Sequence, residues 1–123
     1  MTLPLFEITK TATFDAAHRL PDAPDARRHG ALHGHSFQVE ATLKGSAAPP
    51  VGWVEDLDRL QTALCAAAGT LDHTTLNDHP GLESPTLEAL CLFFQQRLTL
   101  EFPSLFRIAV SRPSVGERCA LDC

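Results

Sequence analysis

Leu32-His33-Gly34-His35-Ser36-Phe37-Gln38-Val39-Glu40-Ala41-Thr42-Leu43 alternates along its length. His33, His35, Phe37, Val39, Ala41 and Leu43 share one parity, while Ser36, Gln38, Glu40 and Thr42 share the other. Successive side chains of a strand point to opposite faces, so the pattern predicts a half-buried strand. Its two histidines stand on the apolar face at the strand's entry. Either alone reads as a polar residue at a strand end. As a pair at i and i+2, they can converge on one metal ion.

Phe6 to His18 alternates as well. Phe6, Ile8, Ala12, Phe14, Ala16 and His18 share one parity, broken by Lys10, against Glu7, Thr9, Thr11, Thr13 and Asp15. This second strand, rich in β-branched residues, delivers His18 on its apolar side. A core histidine at a strand end is the plain reading of His18 by itself. With His33 and His35 it makes three imidazoles, the ligand count of a catalytic zinc site that keeps one position open. Between the strands, Arg19 to Ala31 is punctuated by Pro21 and Pro24 and reads as an exposed loop that brings His29 close to His33.

Lys44 to Gly52 is turn material. Val54, Leu57, Leu60, Leu64 and Ala67 then recur at helical spacing, with Gly69 placed as a C-cap glycine. Glu55, Asp56 and Asp58 suit the positive end of that helix as caps. Leu71 to Pro80 reads as a polar loop. In it Asp72 precedes His73, and a carboxylate can orient an imidazole and raise its basicity; His79 reads as a surface residue. Ser84-Pro85-Thr86 opens a second helix with a hydroxyl cap and a proline in its first turn. Leu87, Leu90, Cys91, Phe94 and Leu98 give that helix its apolar face. Ile108 to Val110 and Gly116 to Leu121 read as short strands. The order β-β-α-α-β-β predicts an α+β fold, two helices covering one face of a four-stranded antiparallel sheet.

A chain of 123 residues with 44% hydrophobic and 20% charged residues fits one domain over 1–123. A net charge of −5 argues against a general nucleic-acid or anionic-membrane binder. No apolar run reaches the roughly 20 residues of a membrane span. The first residues lack the pattern of a signal peptide, so a cytoplasmic location is expected. Cys65 and Cys91 fall within helical apolar patterns and read as core, while Cys119 and Cys123 are expected to be free thiols.

The motifs F-D-A-A-H-R-L, L-H-G-H-S-F, G-W-V-E-D-L, L-D-H-T-T-L-N-D and P-T-L-E-A-L occur in the order and spacing of one family. From about Phe6 to Val110 the chain resembles the 6-pyruvoyltetrahydropterin synthase and 6-carboxytetrahydropterin synthase family. The short chain looks most like the 6-carboxytetrahydropterin synthase of the queuosine pathway. The resemblance implies a tunnelling fold, in which subunits of a homo-oligomer, a trimer or hexamer, join their sheets into a barrel. It implies one zinc ion per subunit held by His18, His33 and His35. The implied partner is a small-molecule substrate, the reduced pterin 7,8-dihydroneopterin triphosphate. The chemistry that the resemblance implies is polarisation of the substrate's side-chain hydroxyls by zinc, with release of triphosphate and acetaldehyde. Asp72 and His73 match the family's proton-transfer pair.

Two positions depart from the family pattern. Four residues before the first histidine of L-H-G-H, where the family has a cysteine base, this chain has His29. Histidine can act as a base there, approach zinc as a fourth ligand, or stay in an exposed loop. Where the family carries a glutamate that anchors the pterin edge, this chain has Arg112, a cation that cannot accept those N–H donors. Glu117 is the nearby carboxylate able to substitute. Three readings therefore stand together: a 6-carboxytetrahydropterin synthase-like lyase, a paralogue with another substrate, and a silent zinc-binding assembly protein.

Overall fold

A computed structural model describes residues 3–25 and 27–123. The alternating stretches form two long strands, β1 (Phe6–His18) and β2 (His33–Gly45). Two helices follow, α1 (Leu57–Leu71) and α2 (Leu87–Leu98), and then β3 (Leu105–Arg112) and β4 (Glu117–Asp122). The strands form one antiparallel sheet in the order β1-β2-β3-β4. This is the expected α+β plan.

One face of the sheet is apolar because each strand keeps its parity. Phe14 and Ala16 of β1, Phe37, Val39, Ala41 and Leu43 of β2, and Ile108 and Val110 of β3 are buried. The helices close over them with Leu60, Leu64 and Leu71 from α1 and Leu90, Phe94 and Leu98 from α2. Phe14 lies directly opposite Phe37, and their rings stack with centroids 5.0 Å apart. A slip of one residue in β2 would turn this whole set to solvent, so core burial fixes the register. The other face is polar. Arg107 bridges Glu7 and Asp122, and Arg118 reaches Glu40.

Element ends differ from the sequence expectations at several points. Helix α1 runs through Gly69 to Leu71, and the Asp72 N–H still donates to the Ala68 carbonyl. Leu71 is fully buried, and that burial outweighs the glycine stop signal. Asp56 is the N-cap of α1, accepting from the Asp58 N–H. In α2 the N-cap is Thr86, whose hydroxyl accepts from the Ala89 N–H, so Pro85 lies just outside the first turn. Cys65 is exposed on α1 instead of buried. Cys91 is buried, and desolvation pushes its thiol up to about 12. Among the described residues no helix is long and apolar enough to cross a membrane.

Gly69 is an exposed residue inside a helix, and a Cβ there would meet no atom within 4 Å. Gly69→Ala should therefore stabilise the fold by about 0.5–1 kcal/mol. The urea midpoint should rise at unchanged slope; an unchanged or lower midpoint would contradict this account of α1.

Candidate metal centre

The β1–β2 register sets His18 directly opposite His33, with Ala16 opposite His35. All three imidazoles rise from the same face of the sheet, just beyond the Phe14–Phe37 stack. One ring nitrogen from each lies within 4.8 Å of the others. Ring centroids are 4.6 Å apart for His18–His33, 5.0 Å for His18–His35 and 4.8 Å for His33–His35.

Backbone carbonyls orient two of the rings. His18 Nδ1 donates to the Pro85 carbonyl at 3.1 Å, and His33 Nδ1 donates to the Ala31 carbonyl at 2.7 Å. In the neutral rings each Nε2 then carries a lone pair, and the two Nε2 atoms face each other at 3.1 Å. Two lone pairs this close repel unless a cation lies between them. Burial, reinforced by His33, His35 and Arg112, lowers the His18 pKa to about 4 against the Pro85 bond, so His18 itself stays neutral near neutral pH. A tetrahedral ion with bonds of about 2.0–2.1 Å sets its nitrogen ligands roughly 3.3 Å apart, so three neutral imidazoles at these spacings fit such an ion after small ring movements. His35 is likewise lowered, by burial first and then by the Arg112 charge.

Asp72 and His73 follow α1 and lie against the edge of β1. Asp72 Oδ1 accepts the Asp15 N–H at 2.8 Å, and its Oδ2 lies 3.0 Å from His73 Nδ1. The His73 N–H donates in turn to the Asp15 carbonyl at 2.6 Å. His73 has φ = 59°, in the left-handed region that a non-glycine residue seldom enters unless its surroundings hold it there. The Asp15 N–H, followed by His73, holds the Asp72 carboxyl below its ordinary range. His35 and His73 line one cleft of about 690 Å³ together with Gly34, Ser36, Thr75 and Ser114. A more apolar depression of about 480 Å³, between Phe6, Ile8, Trp53 and Leu57, lies at the other end of β1 and contains no histidine.

The family described as 6-pyruvoyl tetrahydropterin synthase matches residues 7–121. The chain belongs to this family. It is 38% identical over 96 residues to the 6-carboxy-5,6,7,8-tetrahydropterin synthase of Synechocystis, covering 74% of this chain and 73% of that protein. It is 32% identical over 92 residues to the dihydroneopterin monophosphate aldolase of Pyrococcus furiosus, covering 75% and 74% respectively. The structure of Caenorhabditis elegans 6-pyruvoyl tetrahydropterin synthase superposes with a TM-score of 0.84 at 21% identity, over 100% of this chain and 99% of that one. That likeness extends the family's fold to the whole chain.

Within this member of the 6-pyruvoyl tetrahydropterin synthase family, the two departing positions sit differently. His29 is half-buried in the β1–β2 loop, where its N–H donates to Asp25 and its carbonyl accepts from Leu20. It stands outside the group of nitrogens that can share an ion, which among the described residues is His18, His33 and His35. Arg112 has the parity of Ile108 and Val110, so its side chain goes to the histidine face and is only 14% exposed. Its guanidinium touches Glu117 across the β3–β4 pair at 3.4 Å, and its Nε is buried without a hydrogen-bond partner. His79 is half-buried rather than a surface residue, and its Nε2 lies 2.9 Å from the Thr74 hydroxyl. Asn77 falls within the L-D-H-T-T-L-N-D motif, but its role is not legible in the sequence, because polar loop residues show no periodicity to mark their contacts.

The buried His18 sets a pH dependence for the metal-free protein. The unfolded chain takes up this proton near pH 6.5, whereas the folded chain resists to about 4. Stability from neutral His18 is thus present above 6.5 and is lost as pH falls between these values, approaching about 3 kcal/mol. Urea unfolding of metal-stripped protein at pH 7 and pH 4.5 should show this loss relative to His18→Phe. Equal pH slopes in the two proteins would contradict it.

Proposed function

We propose that the chain is a zinc-dependent lyase of the 6-carboxytetrahydropterin synthase type, acting on 7,8-dihydroneopterin triphosphate with release of triphosphate and acetaldehyde. Family membership and the Synechocystis relative support the pterin chemistry. The observation that carries the reading is the shared cleft, which has His35 of the three-histidine set and His73 of the Asp72–His73 pair in its wall.

His18, His33 and His35 hold zinc and leave one position open. When bound, the ion supplies Lewis-acid polarisation of the substrate's side-chain hydroxyls. Asp72 holds the proton of His73 on Nδ1, which leaves Nε2 as the nitrogen that exchanges a proton with substrate. His29 takes the base role on the loop that enters β2. Arg112 at the end of β3 and Glu117 at the start of β4 are the substrate contacts. Subunits join as a homo-oligomer, a trimer or hexamer, with their sheets extended into a barrel.

Arg112 favours a second reading, a paralogue that keeps the metal centre but takes a different substrate. A half-satisfied guanidinium on the histidine face suits an anionic substrate group better than the N–H edge of a neutral pterin. The Pyrococcus relative, named for a dihydroneopterin monophosphate, is consistent with substrate variation in this family.

Purified protein should contain about one zinc per chain, lost in His33→Ala. Incubation with 7,8-dihydroneopterin triphosphate should release triphosphate and acetaldehyde, and His29→Ala should slow turnover at least roughly tenfold. A zinc-loaded protein that leaves this substrate untouched would move the assignment to the second reading. Unchanged turnover in His29→Ala would remove His29 as the base.

A further inference from the structure

The outer edge of β1 is paired near the histidines by a segment that is not a regular strand. Residues 15, 17 and 19 of one edge each direct a backbone N–H toward residues 72–77. Asp15 N–H donates to Asp72 Oδ1, Ala17 N–H to the Thr74 carbonyl, and Arg19 N–H to Asn77 Oδ1. The spacing is that of a parallel ladder, and a parallel bridge joins Ala17 and Thr75. At both ends of this ladder a side chain takes the place of a peptide group.

Asn77 supplies the last rung from both sides. Its Oδ1 accepts the Arg19 N–H at 3.0 Å, while its Nδ2 donates to the Arg19 carbonyl at 2.8 Å and to the Glu83 carbonyl at 3.2 Å. One acceptor and two donors are used, and only this orientation of the amide satisfies all three bonds. Arg19 immediately follows His18. Glu83 lies two residues before Pro85, whose carbonyl holds His18 Nδ1. The backbone that carries His18 and the acceptor that orients its ring are thus tied to a single amide.

We propose that Asn77 is a positioning residue for the metal centre, holding the His18 ring and its Pro85 acceptor in fixed relation. Without it, both backbone groups of Arg19 lose their partner, the end of β1 frays, and His18 samples orientations that do not converge with His33. The inference rests on the histidines binding metal. Loss of a group that orients a metal ligand typically weakens metal affinity about 10- to 100-fold.

Zinc affinity, measured by competition with a chromophoric chelator, should fall by that factor in Asn77→Ala. The visible bands of the cobalt-substituted protein should change with it. Asn77→Asp keeps the acceptor for Arg19 but sets a carboxylate against two carbonyls, so it should also weaken binding, and it stands in if Asn77→Ala fails to fold. Leu98→Ala, which empties a buried site in α2, should lower the melting temperature and leave zinc affinity and the cobalt bands unchanged. Wild-type zinc affinity in the folded Asn77 variants would overturn the proposal while leaving the metal centre standing. Wild-type protein without zinc affinity would overturn both.

Discussion

Antiparallel pairing of β1 with β2 in a single register is the constraint on which the rest depends. It places Phe14 against Phe37 for the core and His18 against His33 for the site. These are one alignment read at two points, four residues apart on each strand. Hydrophobic burial along the apolar parity makes a one-residue slip prohibitive. The histidines therefore do not have to attract one another to meet. They are brought together, with facing lone pairs, by the same burial that folds the sheet.

That arrangement stores an unfavourable contact in the metal-free chain. His18 is 1% exposed and held neutral, and its Nε2 lies against another imidazole nitrogen. An ion of suitable size would relieve the repulsion and take the lone pairs as ligands. Along the opposite edge of β1, Asp15 takes both the Asp72 carboxylate and the strained His73 backbone. The strand thus carries one histidine of the candidate metal centre at its end and aligns the Asp72–His73 pair on its side, around one cleft.

Legibility from sequence followed how local each signal was. The two long strands were readable because parity is a property of the strand itself, and β1 ends at His18 as the alternation predicts. The end of α1 was not, because Gly69 is a local stop signal and the burial of Leu71 is a tertiary fact. Cys65 followed a helical pattern but falls on its solvent side. Within the site, the three histidines were legible as a set, while the role of Asn77, a residue of the L-D-H-T-T-L-N-D motif, was not, because its three partner groups come from two separate segments. Arg112 was legible as a departure from the family motif. Its burial beside the histidine face, with Glu117 as its partner, required the fold.

The central claim is a three-histidine ion site with one position left for solvent or substrate. X-ray absorption spectroscopy on the zinc-loaded protein tests it most directly. The account predicts three imidazole nitrogens at about 2.0–2.1 Å and one light oxygen donor. A fourth imidazole or a sulfur ligand would show a closed, structural site and contradict it.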